Sequence, residues 1–162
     1  MNNFCLGLYG AHKSKIEVQK NKKILKFALN NGVKYFDTAD VYNNGRQQIF
    51  YSNFFGSFRK SINYINKFQL YEDNIKLEQN LNKSLLRMKT DYIDVYMPHW
   101  PSKYFNPEKL SEFASKVISQ GKVNAFGLSN FNLNLIKKFR KFYKGPLYLQ
   151  NEINFSNYKF SS

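Results

Sequence analysis

The chain has 162 residues, and its 25 Lys or Arg against 11 Asp or Glu give a formal net charge of +14 at pH 7. This length suits one domain with a sizeable core, and a hydrophobic share of 43% indicates a globular chain rather than a disordered one. No apolar run reaches the length of a membrane span, and the first residues lack the pattern of a secretory signal. Cys5 is the only cysteine, which excludes a disulfide framework within one chain and makes a reducing cytoplasm the expected location.

The positive charge comes mostly from lysine, because only four of the 25 basic residues are arginine. Arginine is the residue that reads bases and phosphates with a fork of donors, and here the lysines are spread along the chain. The pattern therefore indicates lysine-rich, solvated helix faces. Salt-sensitive, non-specific binding to nucleic acid is a weaker alternative. We expect no specific nucleic-acid partner and no membrane partner.

Short apolar runs alternate with segments of helical period along the chain. The predicted order is strand 3–8, helix 17–31, strand 34–38, helix 45–57, strand 62–68, helix 72–88, strand 92–97, helix 107–120, strand 123–128, helix 132–142 and strand 147–153. The clearest helix is 107–120, because its apolar residues fall on one face, Asn106 can cap its start and Gly121 follows its end. Nothing marks an internal boundary, so residues 1–162 are expected to form one domain.

Alternation of strands and helices predicts right-handed crossovers and a parallel sheet. Both a doubly wound sheet and a (β/α) barrel are built in this way. The doubly wound alternative predicts a G-x-G-x-x-G loop, which the sequence lacks. A barrel predicts polar side chains at the carboxyl ends of several strands, and the predicted strands end in such residues. We therefore favour the barrel.

Four of these polar residues form a set that suits carbonyl reduction. Tyr42 is a proton donor whose pKa a neighbouring cation, Lys67, would lower, and Asp37 would keep that lysine charged and oriented. His99 could polarise or orient the carbonyl oxygen beside the tyrosine. The hydride itself must come from a cofactor, because no side chain can donate one.

Five ordered motifs resemble those of the aldo-keto reductase superfamily. They are FDTADVY at 36–42, the lysine of INYINKF, LNKSLLRMKTDYIDVYMPHWP at 81–101, VNAFGLSNF at 123–131 and LQNE at 149–152. The resemblance covers nearly the whole chain and implies a (β/α)8 TIM-barrel fold. It also implies a catalytic tetrad of Asp37, Tyr42, Lys67 and His99, with Tyr42 as the general acid.

The resemblance further implies where a cofactor and a substrate would bind. Ser129, Asn130 and Gln150 would hydrogen-bond the nicotinamide carboxamide of NADPH, or less often NADH. Trp100 would line a pocket for a small aldehyde or ketone. The first strand departs from the usual L-G-L-G-T spelling, because Tyr9 stands where a second glycine is common.

A complete barrel has eight strands, whereas this sequence predicts six parallel strands with outer helices. The expectation is a truncated barrel: either the sequence is a fragment or a truncated reading frame, or a second chain completes the barrel, or the open edges are covered by self-association. The alternative function is that of a catalytically inactive partial barrel, kept as an interaction module or as a decaying gene product.

Overall fold

The structure is a computed structural model that describes residues 4–7, 9, 10 and 14–153. Within them, six parallel strands form one sheet whose spatial order follows the chain order, and helices connect the strands. The strands are β1 Cys5–Gly7, β2 Tyr35–Ala39, β3 Asn63–Phe68, β4 Ile93–Pro98, β5 Val123–Ser129 and β6 Leu147–Gln150. The helices are α1 Lys15–Asn30, α2 Arg46–Phe55, α3 Asn74–Met88, α4 Pro107–Ser119 and α5 Leu133–Phe142. The predicted parallel α/β architecture of the barrel type is confirmed.

The element boundaries differ from the predicted ones in a few places. β6 ends at Gln150, so the last three residues of the predicted strand 147–153 lie beyond it. Residues 3 and 8 of the first predicted strand lie outside the described residues. Two short 3₁₀ segments, Tyr42–Gly45 and Gly56–Ser61, flank α2 and were not predicted, because so short a segment has no periodic pattern.

Four of the five helices begin with a side-chain cap of the kind that the sequence favours. In each, the capping oxygen accepts a hydrogen bond from the backbone N–H three residues later, and the caps are Ser14, Asp73, Asn106 and Asn132. The predicted cap Asn106 is therefore confirmed. Such a cap typically contributes about 1 kcal/mol to helix stability.

Two apolar clusters form the core between the sheet and the helices. One includes Phe68, Tyr96 and Phe126 from neighbouring strands, packed on α3, α4 and α5. The other is centred on Phe36 and Phe55, between β2 and α2. Neighbouring rings are in direct contact, with 4.3 Å between the centroids of Phe68 and Tyr96. The helices thus cover one face of the sheet, and the other face carries the candidate site.

Arg59 ties several loops together at the amino-terminal end of the strands. Its guanidinium donates to Thr90 Oγ1, the Ile62 carbonyl and the Tyr92 carbonyl at 2.9, 3.2 and 2.8 Å. It also pairs with Asp94 at 2.9 Å, and both side chains of this pair are largely buried. The guanidinium carbon lies 4.0 Å from the Tyr92 ring centroid, a cation–π distance. These contacts lie at the end of the sheet opposite to the candidate site.

Among the helices that the structure describes, none combines the length and the apolar character needed to cross a bilayer.

Candidate functional site

A buried ion pair joins β2 and β3 on the face of the sheet away from the helices. Lys67 Nζ lies 2.7 and 2.6 Å from the two carboxylate oxygens of Asp37, and both side chains are almost fully buried. The parallel register explains this contact, because Lys67 pairs with Ala39, two residues after Asp37 on the same face of β2. Asp37 lies within β2 and not at its end, so its carboxylate comes from inside the sheet rather than from a loop.

Tyr42 lies just beyond β2 in the turn that begins at that residue. The turn is possible because Asn43 and Asn44 adopt left-handed backbone angles, with φ of 48° and 53°, which asparagine tolerates better than most residues. Gly45 completes the turn with φ of 81°. The Asn-Asn-Gly sequence therefore fixes the direction in which Tyr42 leaves the sheet.

His99 brings a second proton-transfer group next to Tyr42. It follows β4 directly, and its backbone N–H donates to the Phe68 carbonyl at 2.9 Å. Its Nε2 lies 3.5 Å from the Tyr42 hydroxyl, and the two rings are 5.5 Å apart between centroids. Trp100 also contacts this imidazole, at 4.0 Å between centroids, and is 41% exposed. The predicted catalytic residues are therefore neighbours in space, and their roles stay predictions.

The environment shifts the pKa of both proton-transfer groups. Burial, with a smaller contribution from the Asp37 charge, raises the pKa of Tyr42 to about 12. Burial, helped by the Lys67 charge, lowers the pKa of His99 to about 4. Near neutral pH the site therefore holds a protonated phenol and a neutral imidazole.

The prediction that Lys67 lowers the pKa of Tyr42 is wrong for this structure. Its ammonium group is paired with the Asp37 carboxylate, so the tyrosine is close to a neutralised pair rather than to an isolated cation. Lys67 Nζ lies 5.9 Å from the centroid of the Tyr42 ring. Desolvation of the phenolate, followed by the Asp37 charge, raises the pKa of Tyr42, and Lys67 is not among the causes of the shift.

The three residues predicted to contact a cofactor lie together at the ends of β5 and β6. Ser129 pairs with Gln150 in the sheet, and Asn130 donates from Nδ2 to the His99 carbonyl at 3.1 Å. Gln150 Nε2 donates to Asp37 Oδ2 at 2.8 Å, while Gln150 Oε1 is buried without a hydrogen-bond partner in the described structure. The sheet therefore curves enough for side chains of β2 and β6 to meet.

Two contacts of the site were missed by the sequence analysis. The bond between Gln150 and Asp37 links strands four positions apart in the sheet, and no local pattern predicts it. Tyr9 packs its ring against Tyr42, and the available signal was its departure from the usual L-G-L-G-T spelling of the first strand. Within the described residues, no group of three or more His, Cys, Asp or Glu is arranged to hold a metal ion.

Comparison with known proteins identifies the family. The model of the aldo/keto reductase family matches residues 3–160. The chain belongs to this family. Among curated aldo/keto reductases and their relatives, the glyoxal reductase of Bacillus subtilis (strain 168) is 31% identical over 132 residues, which cover 72% of this chain and 42% of that protein.

Solved aldo/keto reductase structures have the same fold. The thermostable aldo-keto reductase Tm1743, in complex with the inhibitor epalrestat, matches with a TM-score of 0.84 and 24% identity, covering 93% of this chain and 57% of that one. An aldo-keto reductase from Klebsiella pneumoniae in complex with NADPH matches with a TM-score of 0.78 and 21% identity, covering 85% and 48%. The chain thus spans about half the length of the relatives it matches.

Proposed function

We propose that this site reduces the carbonyl group of a small aldehyde or ketone with NADPH, and that Tyr42 is the general acid. The observation that carries the proposal is the position of the Tyr42 hydroxyl, 3.5 Å from His99 Nε2 and next to the buried pair of Asp37 and Lys67. A carbonyl oxygen placed beside these two atoms, at hydrogen-bond distance from each, could contact both the phenol and the imidazole. The name of the Bacillus subtilis relative, glyoxal reductase, supports a carbonyl substrate.

Each residue has a distinct task in this proposal. Tyr42 donates its proton as negative charge develops on the carbonyl oxygen, and its raised pKa keeps it protonated until that moment. His99 stays neutral, because its lowered pKa is far below neutral pH, so it can orient the oxygen without adding a charge. Lys67 and Asp37 form a fixed, buried ion pair beside Tyr42, which keeps the polar surroundings of the reacting oxygen in place.

A nicotinamide carboxamide fits the polar atoms at the ends of β5 and β6. Gln150 Oε1 is a buried acceptor without a partner in the described structure, and an amide N–H is the donor that such an atom requires. Gln150 Nε2 already donates to Asp37, Asn130 Nδ2 donates to the His99 carbonyl, and Asn130 Oδ1 accepts from the Glu152 N–H. Gln150 Oε1 is therefore the atom of these two side chains that would accept from the carboxamide. A bound NADPH would supply the hydride for the carbonyl carbon.

The proposal includes a cytoplasmic location, which rests on the single cysteine.

It also includes a partner that pairs with the two edges of the sheet. β1 and β6 each have one neighbouring strand in the described sheet, and Tyr148 and Leu149 of β6 are exposed. Open parallel edges favour pairing with further strands, supplied by another copy or by a second polypeptide. Sedimentation of the purified chain over a range of concentrations would test self-association.

The experiment uses Trp100, the only tryptophan, as a probe of the site. Trp100 contacts His99, so we expect a nicotinamide bound beside His99 to quench its emission. We would titrate the wild-type chain and Tyr42→Phe with NADPH, and then measure NADPH oxidation with glyoxal and a panel of aldehydes. The expected result is saturable quenching in both proteins and a kcat at least about 100-fold lower in Tyr42→Phe.

The outcomes separate the proposal from the inactive partial barrel. Binding of NADPH with activity that depends on the Tyr42 hydroxyl supports a reductase. Undiminished turnover in Tyr42→Phe would remove Tyr42 as the general acid. A wild-type chain that neither binds NADPH nor oxidises it would reject the reductase for this chain and favour a non-catalytic role.

A further inference from the structure

Tyr9 lies in the turn after β1, at the same end of the sheet as the candidate site. β1 pairs in parallel with β2, and Gly7 is opposite Asp37, so the chain leaving β1 passes beside the residues that follow Asp37. The Tyr9 ring meets the Tyr42 ring edge-on, with 5.0 Å between centroids and 73° between the planes. Tyr9 is 76% exposed, so it lies on the solvent side of Tyr42.

Tyr42 is held between two rings. His99 contacts it from the β4 side with an interplanar angle of 72°, and Tyr9 contacts it from the β1 side. The turn that carries Tyr42 sets the course of its backbone, and the two ring contacts act on its side chain. An edge-to-face aromatic pair contributes about 0.5–1.5 kcal/mol beyond the area that it buries.

This contact is a feature of the side chain at position 9. The motif that the first strand resembles has glycine at this place, and a glycine would leave the β1 side of the Tyr42 ring open to water. We propose that Tyr9 is a positioning residue, whose ring holds the Tyr42 ring against His99 and shields it from solvent. Its effect on catalysis rests on the proposed function of Tyr42, whereas its effect on the position of Tyr42 does not. The raised pKa of Tyr42, caused first by burial, agrees with this shielding.

The test compares Tyr9→Gly with Tyr9→Phe, because phenylalanine keeps the ring and glycine removes it. 3-Fluorotyrosine would be introduced at position 42 in each protein, and its ¹⁹F resonance would be followed through a pH titration without cofactor or substrate. We expect Tyr9→Gly to change the chemical shift and to move the titration toward that of free 3-fluorotyrosine. Tyr9→Phe should keep the wild-type chemical shift and move the titration less than Tyr9→Gly does, because it keeps the ring and loses only the small contribution of the Tyr9 hydroxyl charge. Tyr104→Gly is the matched control, because Tyr104 is also exposed on a loop and its ring contacts Lys103 instead.

Kinetics provide the second readout. If the chain reduces carbonyls, Tyr9→Gly should lower kcat by about threefold to tenfold and leave NADPH binding unchanged. This factor is the rate change that corresponds to the free energy of one edge-to-face aromatic contact. A titration in Tyr9→Gly that equals the wild type would overturn the inference, and so would a Tyr9→Phe protein that shifts as far as Tyr9→Gly. If no variant turns over substrate, the proposed function fails and the ¹⁹F comparison still decides the role of Tyr9.

Discussion

Replacement of Arg59 by alanine should lower the stability of the protein and leave the candidate site unchanged. The side chain makes three hydrogen bonds and a largely buried ion pair with Asp94. Removing one partner of a buried pair costs about 3–5 kcal/mol, because the other charge stays behind without compensation. Asp94 keeps hydrogen bonds from the Tyr64 N–H and from Asn124 Nδ2, so we place the loss at about 3 kcal/mol, near the lower end of that range.

Urea unfolding at neutral pH measures this loss directly. For a domain of this size, about 3 kcal/mol corresponds to a fall in Tm of roughly 6–12 °C. Lys60→Ala is the matched control, because Lys60 is exposed and its removal changes the net charge by the same amount. We expect that control to stay within about 0.5 kcal/mol of the wild type. Equal losses in Arg59→Ala and Lys60→Ala would refute the reasoning, and a double-mutant cycle with Asp94→Asn should give a coupling of at least about 1 kcal/mol.

Three further perturbations test the turn, the histidine and the ion pair. Gly45→Ala should destabilise the protein by roughly 1 kcal/mol more than Gly32→Ala. Both glycines have positive φ, but of the two only Gly45 would place a Cβ against the Arg87 guanidinium. Equal losses of unfolding free energy in chemical denaturation would contradict this. Because the pKa of His99 is lowered in the folded protein, its contribution to stability is present above the unfolded pKa of 6.5 and is lost as the pH falls toward about 4. The wild type should therefore lose more stability than His99→Gln between about pH 7 and about pH 5. Parallel losses in the two proteins would count against a buried neutral imidazole. Lys67→Met should lower stability by about 3 kcal/mol as well as activity, because it leaves the Asp37 carboxylate buried with only Gln150 as a side-chain donor. The double variant Asp37→Asn/Lys67→Met also removes the carboxylate charge. Its thermal melt should therefore show that part of the lost stability is recovered.

The sequence allowed the parallel sheet and the grouping of Asp37, Lys67 and His99 to be predicted. Both follow from local patterns together with one topological rule, that successive parallel strands present their carboxyl ends on the same side. The direction of the Tyr42 pKa shift could not be predicted in this way. It depends on how deeply the phenol is buried and on whether the charge of Lys67 is already neutralised, and neither quantity is encoded in residue spacing.

The Arg59 contacts were missed for a different reason. Its partners are distributed over two segments of the chain and are Ile62, Thr90, Tyr92 and Asp94. In a sequence rich in basic residues, no local pattern distinguishes Arg59 as a buried one. The bond between Gln150 and Asp37 was hidden in the same way, because it depends on the curvature of the whole sheet.

The strand order has a consequence for how the protein forms. Each strand pairs only with its neighbours in the chain, so every added β/α unit can dock on the one before it as synthesis proceeds. The bond from Gln150 to Asp37 is different, since it joins residues 113 positions apart and needs the five strands from β2 to β6 in place. Forming that contact costs the loop-closure entropy of the long segment between the two residues. Asp37 and Lys67 lie on neighbouring strands and can therefore pair before β6 is present, whereas the contact with Gln150 requires β6.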